Sequence, residues 1–311
     1  GIYQYIRVEF AGYPFDTDKE INGVTFGSVG SGTTVDHIQV SYSNDDSFEW
    51  FGGSVNCNYL VAYKGWDDDF DTDNGFSGTV QYGLAIRDPR IADTSQSNGF
   101  ESDNNASGAE TAPFTSAHFK NITLVGPKTA KNNDFINNSS YITAGSMFPD
   151  NGSKLGLFQS AFQIRRSSKL NIENALAIGF PIGLIVDGEK GNTVKYAKNG
   201  EFLFNNIVFA GMDAIGTDKN KCYEDYLIDL ANGTEDRSQQ SYSHTFFLSN
   251  PGNKVMDENS LGLTDPMSAG QNYCPSSVIS DGKGGYIGAF RDASDNWLNG
   301  WTNFEPQKTV Y

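Results

Sequence analysis

Two short strand-like patterns recur in phase along this chain, and that recurrence restricts the fold more than any other feature. Residues 65–75 read Gly-Trp-Asp-Asp-Asp-Phe-Asp-Thr-Asp-Asn-Gly. Set beneath Asp46-Ser47-Phe48-Glu49-Trp50-Phe51 and above Asn98-Gly99-Phe100-Glu101-Ser102-Asp103, they place Phe48, Phe70 and Phe100 in one column. Glu49, Asp71 and Glu101 fill the next. Ahead of each runs another pattern, a branched apolar residue, a small or polar one, then an apolar or aromatic one, as in Val40-Ser41-Tyr42, Val61-Ala62-Tyr63 and Leu84-Ala85-Ile86. It also begins at Val8, Ile122, Leu176 and Ile207, and the second pattern follows it at Val24, Phe48, Phe70, Phe100, Phe135, Leu184 and Ile215. The wide gap before Leu176 has room for one more coil, around residues 157–162.

Strands of period two that return every 20-odd residues, with insertions, describe a parallel β-solenoid. Each strand pair has an apolar face that it cannot bury alone, so it stacks on the pair before it. Stacking at about 4.8 Å makes Phe48–Phe70 and Tyr42–Tyr63 expected interior ladders. The high glycine count (34 residues) and 13% aromatics suit short strands joined by tight turns. A leucine-rich-repeat horseshoe lacks support, since its leucine and asparagine spacing is missing. Residues 1–216 are therefore expected to form the coils, and residues 217–311 a C-terminal cap packed on them in one domain. Within that cap, residues 222–233 have helical periodicity and end in glycine.

With 22 Lys and Arg against 38 Asp and Glu, the net charge of −16 argues against nucleic acid and favours a cationic ligand, calcium first. The three cysteines allow one disulfide, and Cys222 with Cys274 could close a loop-rich segment, as in an oxidising compartment. No apolar run approaches the ~20 residues that cross a bilayer. The chain starts directly in strand pattern without a signal peptide, as expected of a piece of a longer precursor.

Several runs resemble a group of largely uncharacterised bacterial proteins, secreted or lipid-anchored. They are Tyr5-Ile6-Arg7-Val8-Glu9-Phe10-Ala11-Gly12, Asp36-His37-Ile38-Gln39-Val40-Ser41-Tyr42, Phe48-Glu49-Trp50-Phe51-Gly52-Gly53, Asp67-Asp68-Asp69-Phe70-Asp71-Thr72-Asp73, Ser97-Asn98-Gly99-Phe100-Glu101-Ser102-Asp103 and Asn296-Trp297 with Gly300-Trp301-Thr302. The resemblance implies an all-β, right-handed parallel β-helix of pectin-lyase-like fold, located outside the cell or on its surface. It carries over no catalytic residue.

Counting outward from the buried phenylalanine column puts Glu49, Asp69, Asp71, Asp73, Glu101 and Asp103 on one outer patch. Such a patch takes up protons or binds a cation, and calcium, with 6–8 oxygen ligands, suits it better than zinc. A solvated acidic face relieved by Lys and Arg is the plainer alternative. Lys64 and Arg87 end successive strands beside it. Either could hold a uronate carboxylate or, as a resemblance to pectate lyases implies, remove the proton next to it; otherwise they are salt-bridge partners. Trp66 adjoins the patch and is the candidate sugar platform. The expected function is binding of a polysaccharide or surface glycan on this face, possibly with calcium. A calcium-dependent polysaccharide lyase and a structural stalk or adhesin segment are the alternatives. A glycoside hydrolase would need two chosen carboxylates, and the sequence offers too many pairs to choose from.

Overall fold

In the computed structural model the described residues are 1–13, 21–93, 95–130, 135, 157–216, 241–269, 271–275 and 277–310. The chain alternates between two sheets, and all strands in both pair in parallel. The long strands are β1 (Ile2–Glu9), β3 (Thr34–Ser41), β5 (Asn56–Tyr63), β7 (Thr79–Ile86), β9 (His118–Val125), β11 (Asn171–Ile178) and β13 (Phe204–Ala210). They stack in that order and end on the short β14 (Lys254–Met256). The short strands are β2 (Val24–Gly27), β4 (Phe48–Phe51), β6 (Phe70–Asp73), β8 (Phe100–Ser102), β10 (Ser160–Ile164) and β12 (Ile182–Val186), stacked in the same direction. This is a parallel β-helix.

The column expected from sequence is continuous. Val24, Phe48, Phe70, Phe100, Phe162 and Leu184 oppose one another on successive coils. The rings of Phe48, Phe70, Phe100 and Phe162 are fully buried, with neighbouring centroids 5.0–5.8 Å apart. The extra coil around residues 157–162 exists, and its β10 supplies Phe162 in place of the expected Phe135. Phe135 instead packs against Phe158 and Ala92.

The other register keeps Val8 opposite Val40 and Val61 opposite Leu84, as aligned, but slips by one residue between these pairs, so that Val40 opposes Ala62 and not Val61. Val61 and Leu84 therefore face outward. Tyr42 and Tyr63 likewise belong to an outer cluster and not to the interior. The cause is that Leu60-Val61-Ala62 and Leu84-Ala85-Ile86 are apolar on both faces, so alternation could not set their register.

Each long strand is kinked at its fourth residue, or at the third in β13. Tyr5, His37, Tyr59, Tyr82, Asn121, Asn174 and Asn206 all have φ between 55° and 63°. The left-handed region is costly for tyrosine and histidine and milder for asparagine. Stacking offsets that cost, because Tyr5, His37, Tyr59 and Tyr82 form one pile with centroids 4.5–4.9 Å apart. The pile gives way to asparagines, where Asn206 donates to Asn174 over 3.0 Å.

The described part of residues 217–311 covers two surfaces. Helix α2 (Tyr242–Ser249), preceded in the chain by α1 (Thr193–Lys198), is capped by Ser241, whose hydroxyl accepts from the His244 amide over 3.1 Å. Its Phe246 and Phe247 close the end of the core against Phe204 and Phe209, with Phe247 and Phe209 stacked at 4.4 Å. The described residues of 257–310 then run back along the outer face of the long-strand sheet. Ile287 packs with Leu176 and Ile178, and Phe290 and Leu298 with Leu84 and Ile86. Trp301 sits edge-on to His37 at 5.2 Å. The Gln39 amide exchanges two 2.7 Å hydrogen bonds with the Asn303 backbone. The helix expected at residues 222–233 lies outside the described residues, as does Cys222; Cys57 and Cys274 are free thiols. No described helix is long and apolar enough to cross a membrane.

Candidate functional site

On the short-strand sheet Glu49 opposes Asp71, Asp71 opposes Glu101, and Glu101 opposes Gln163. Asp73 opposes Phe51, and the Asp103 amide donates to the Thr72 carbonyl, which sets Asp103 beside Asp73. Five of the six carboxylates expected on one face thus share it. Asp69 does not. It is fully buried, and its Oδ1 accepts from Arg87 Nη1 over 3.0 Å. Alternation holds only within a strand, and β6 begins at Phe70, one residue too late to orient Asp69.

Its place is taken by carboxylates from the turns ahead of β4 and β6. The oxygens of Asp46, Glu49 and Asp71 lie within 4.8 Å of one another, and so do those of Asp45, Asp46 and Asp67. Asp46 belongs to both groups. Side chain to backbone braces hold these turns in step: the Asp68 amide donates to Asp46 Oδ1 over 2.9 Å, and the Asn98 amide to Asp68 Oδ1. The sequence did carry the signal, because Asp45-Asp46 precede Phe48 by the same spacing as Asp67-Asp68 precede Phe70. Parity arguments limited to the strands passed over it.

Electrostatics divide the face into two halves. At the Glu101 end, Arg165 binds Glu101 and donates to Asp103 Oδ1 over 2.7 Å, and Arg166 reaches Asp103 Oδ2 at 2.7 Å. At the Asp46 end, no described Lys or Arg pairs with Asp46, Glu49 or Asp71. Burial, and then repulsion from neighbouring carboxylates, pushes Asp46, Asp67, Asp68 and Asp71 well above the ordinary carboxylate range. Burial raises Glu49 to about 8 although Asn22 donates to it, and Glu101 to about 7 despite Arg165. Asp71 is partly exposed, yet its Oδ1 is enclosed and without a partner, as is Asp67 Oδ1. An all-oxygen donor set from consecutive coils, with enclosed oxygens lacking hydrogen-bond donors, fits a hard divalent cation such as calcium. It does not fit zinc, which prefers nitrogen and sulfur.

The candidate base and sugar-binding residues occupy other roles in the structure. Lys64 and Arg87 do hold equivalent positions, with the Lys64 amide donating to the Ile86 carbonyl. Arg87 is fully buried, however, and besides Asp69 it donates to the carbonyls of Asp67 (2.5 Å) and Trp66 (3.0 Å). It is a pin for the acidic turn and not a ligand-facing base. Lys64 lies 3.5 Å from Asp88 and over the Tyr63 ring. Trp66 is only 5% exposed, which rules out a surface platform. Both cations are ion-paired, as in the plainer expectation, though Lys64 pairs with Asp88, and of the two only Arg87 is fully buried.

A cleft of about 170 Å³ opens beside the Glu101 end, lined by Gln96, Gln159, Gln163, Arg165 and Asp187 among others. Ser95, also in its wall, donates to Asp67 Oδ2 over 2.8 Å and so links cleft and carboxylates. The sequence reading missed it because its floor belongs to the coil that the Phe135 alignment displaced.

A family model described as a pectate-lyase like beta helix domain matches residues 1–246. No curated protein and no solved structure matches the chain.

Proposed function

The chain belongs to the pectate-lyase-like β-helix domain family, and from that premise we propose that it binds a polysaccharide or surface glycan on its short-strand face, outside the cell or on its surface, with calcium held there by carboxylates. The observation that carries this reading is the group formed by Asp46, Glu49 and Asp71. Three carboxylates share less than 4.8 Å without a paired cation among the described residues, and an Asp71 oxygen is enclosed without a donor. The three would hold the ion, with Asp45 and Asp67 offering oxygens next to them. Bound calcium would supply a positive centre for sugar oxygens. The chain's own residues position it: Arg87 pins the 66–69 turn, and the Asp46 and Asp68 braces keep the turns in register.

Lyase chemistry gains less support, because the two cations considered as bases are turned into structural ion pairs. The test is a glycan array probed in calcium and in EDTA. The reading expects glycan signals that fall at least about tenfold in EDTA, and likewise in Asp71→Asn with calcium present. A tenfold fall corresponds to about 1.4 kcal/mol of binding free energy. Equal signals in all three conditions would remove the metal from the account. An array without any signal would leave the structural stalk.

A further inference from the structure

We propose that the cleft beside Glu101 is a subsite for one neutral, hydroxyl-bearing sugar ring, recognised chiefly by the amide of Gln159. The inference rests on the glycan-binding reading above and specifies the chemical class of one unit of that glycan.

Gln159 is 4% exposed, and its side chain lines the cleft. Its backbone is fully used, since its amide donates to the Ser97 carbonyl and its own carbonyl accepts from Ile182. Its side-chain amide has no partner among the described residues. That amide is open to the cleft and not enclosed, and it offers one acceptor oxygen together with two N–H donors. A carboxylate or sulfate can only accept, so it would leave Gln159 Oε1 unsatisfied. A hydroxyl both donates and accepts, and two neighbouring hydroxyls can engage both ends of the amide.

The charge balance of the cleft points the same way. Arg165 is committed to Glu101 and Asp103, and Arg166 to Asp103. The exposed Glu189 and Lys190 add one charge of each sign to the wall; an anion would have to compete with these carboxylates, and it would meet Asp187, which is only 3% exposed and accepts from Gln163 Nε2 over 3.1 Å. A neutral polyol can use the remaining N–H donors without that competition. At about 170 Å³ the space is below the roughly 300–1,000 Å³ of drug-sized pockets, which suits a single ring. Glu101 and Asp71 lie one and two coils from Gln163 along the same ladder, so a chain seated here would extend over the carboxylate group.

The test uses the whole chain in millimolar calcium and β-linked hexaoses of glucose, mannose, xylose and galactose, with a hexaose of galacturonate as the acidic probe. Binding is read by calorimetry and saturation-transfer NMR. At least one neutral hexaose is expected to bind, and Gln159→Leu to weaken it about tenfold with the calcium-induced rise in melting temperature retained. If Gln159→Leu does not fold, Gln96→Ala at the more open wall is expected to weaken the same hexaose severalfold. The inference is overturned if no neutral hexaose binds, or if the folded variant binds as tightly as the wild type. Binding of the galacturonate hexaose alone, with the calcium response intact, would sink the subsite and leave the broader reading standing. Neutral binding through Gln159 without any calcium response would do the reverse.

Discussion

Stripped of divalent cations, the protein is expected to lose stability as the pH rises from about 4 to about 8, and calcium is expected to restore it at the upper end. Folding raises the carboxyl pKa of Glu49 to about 8, of Glu101 to about 7 and of Asp69 to about 6. The folded state therefore keeps protons that the unfolded chain has already released. Stability falls with pH wherever the folded state binds more protons, so this contribution is complete below the unfolded value and gone above the folded one. For Glu49, at 9% exposure, the shift from 4.5 corresponds to a loss on the order of 5 kcal/mol. Calcium favours the deprotonated carboxylates and binds only the folded site, so its stabilisation grows with pH. Calorimetric melting in EDTA and in millimolar calcium, from pH 4.5 to 8.5, checks both parts. A melting temperature in EDTA that rises steadily to pH 8.5 would have the wrong sign for this account.

The other large effect is expected at Arg87. Arg87→Ala leaves Asp69 buried without its ion-pair partner, so that it must carry an unpaired charge or take up a proton, and removes the donors to two carbonyls, which should cost about 3–5 kcal/mol in urea unfolding. The double variant Arg87→Met with Asp69→Leu replaces the pair by apolar groups and should recover most of that loss. It should still bind calcium more weakly than the wild type, because the turn carrying Asp67 and Asp68 is no longer pinned. A single-variant cost below about 1 kcal/mol would mean that the pair is solvated in practice.

How far the sequence could be read followed from which faces were buried. The column through Phe48, Phe70 and Phe100 was legible because one face of each short strand is apolar and the other acidic. The long strands were not, since the described residues of 257–310 cover their outer face, where Val61, Leu84 and Ile86 are as apolar as the inner one. The kink in each long strand escaped notice because tyrosine, histidine and asparagine share no obvious preference. They share a position only once stacking and amide bonding between coils are seen. In the site, Glu49, Asp71 and Glu101 followed from parity. Asp69 and the Asp45-Asp46 turn did not, because turn residues orient by their braces and ion pairs. Gln159 was visible as part of a suspected coil, yet its role depends on a cleft walled by residues from several coils.

The claim on which the rest depends is that one cation sits among Asp46, Glu49 and Asp71. The most direct measurement is a crystal structure grown in millimolar calcium at pH 8, with anomalous data to identify the ion. The account predicts a peak bonded at about 2.3–2.6 Å to carboxylate oxygens of all three residues, with Asp71 Oδ1 among them. Ordered side chains there without an ion, or calcium bound only at Asp73 and Asp103, would contradict it.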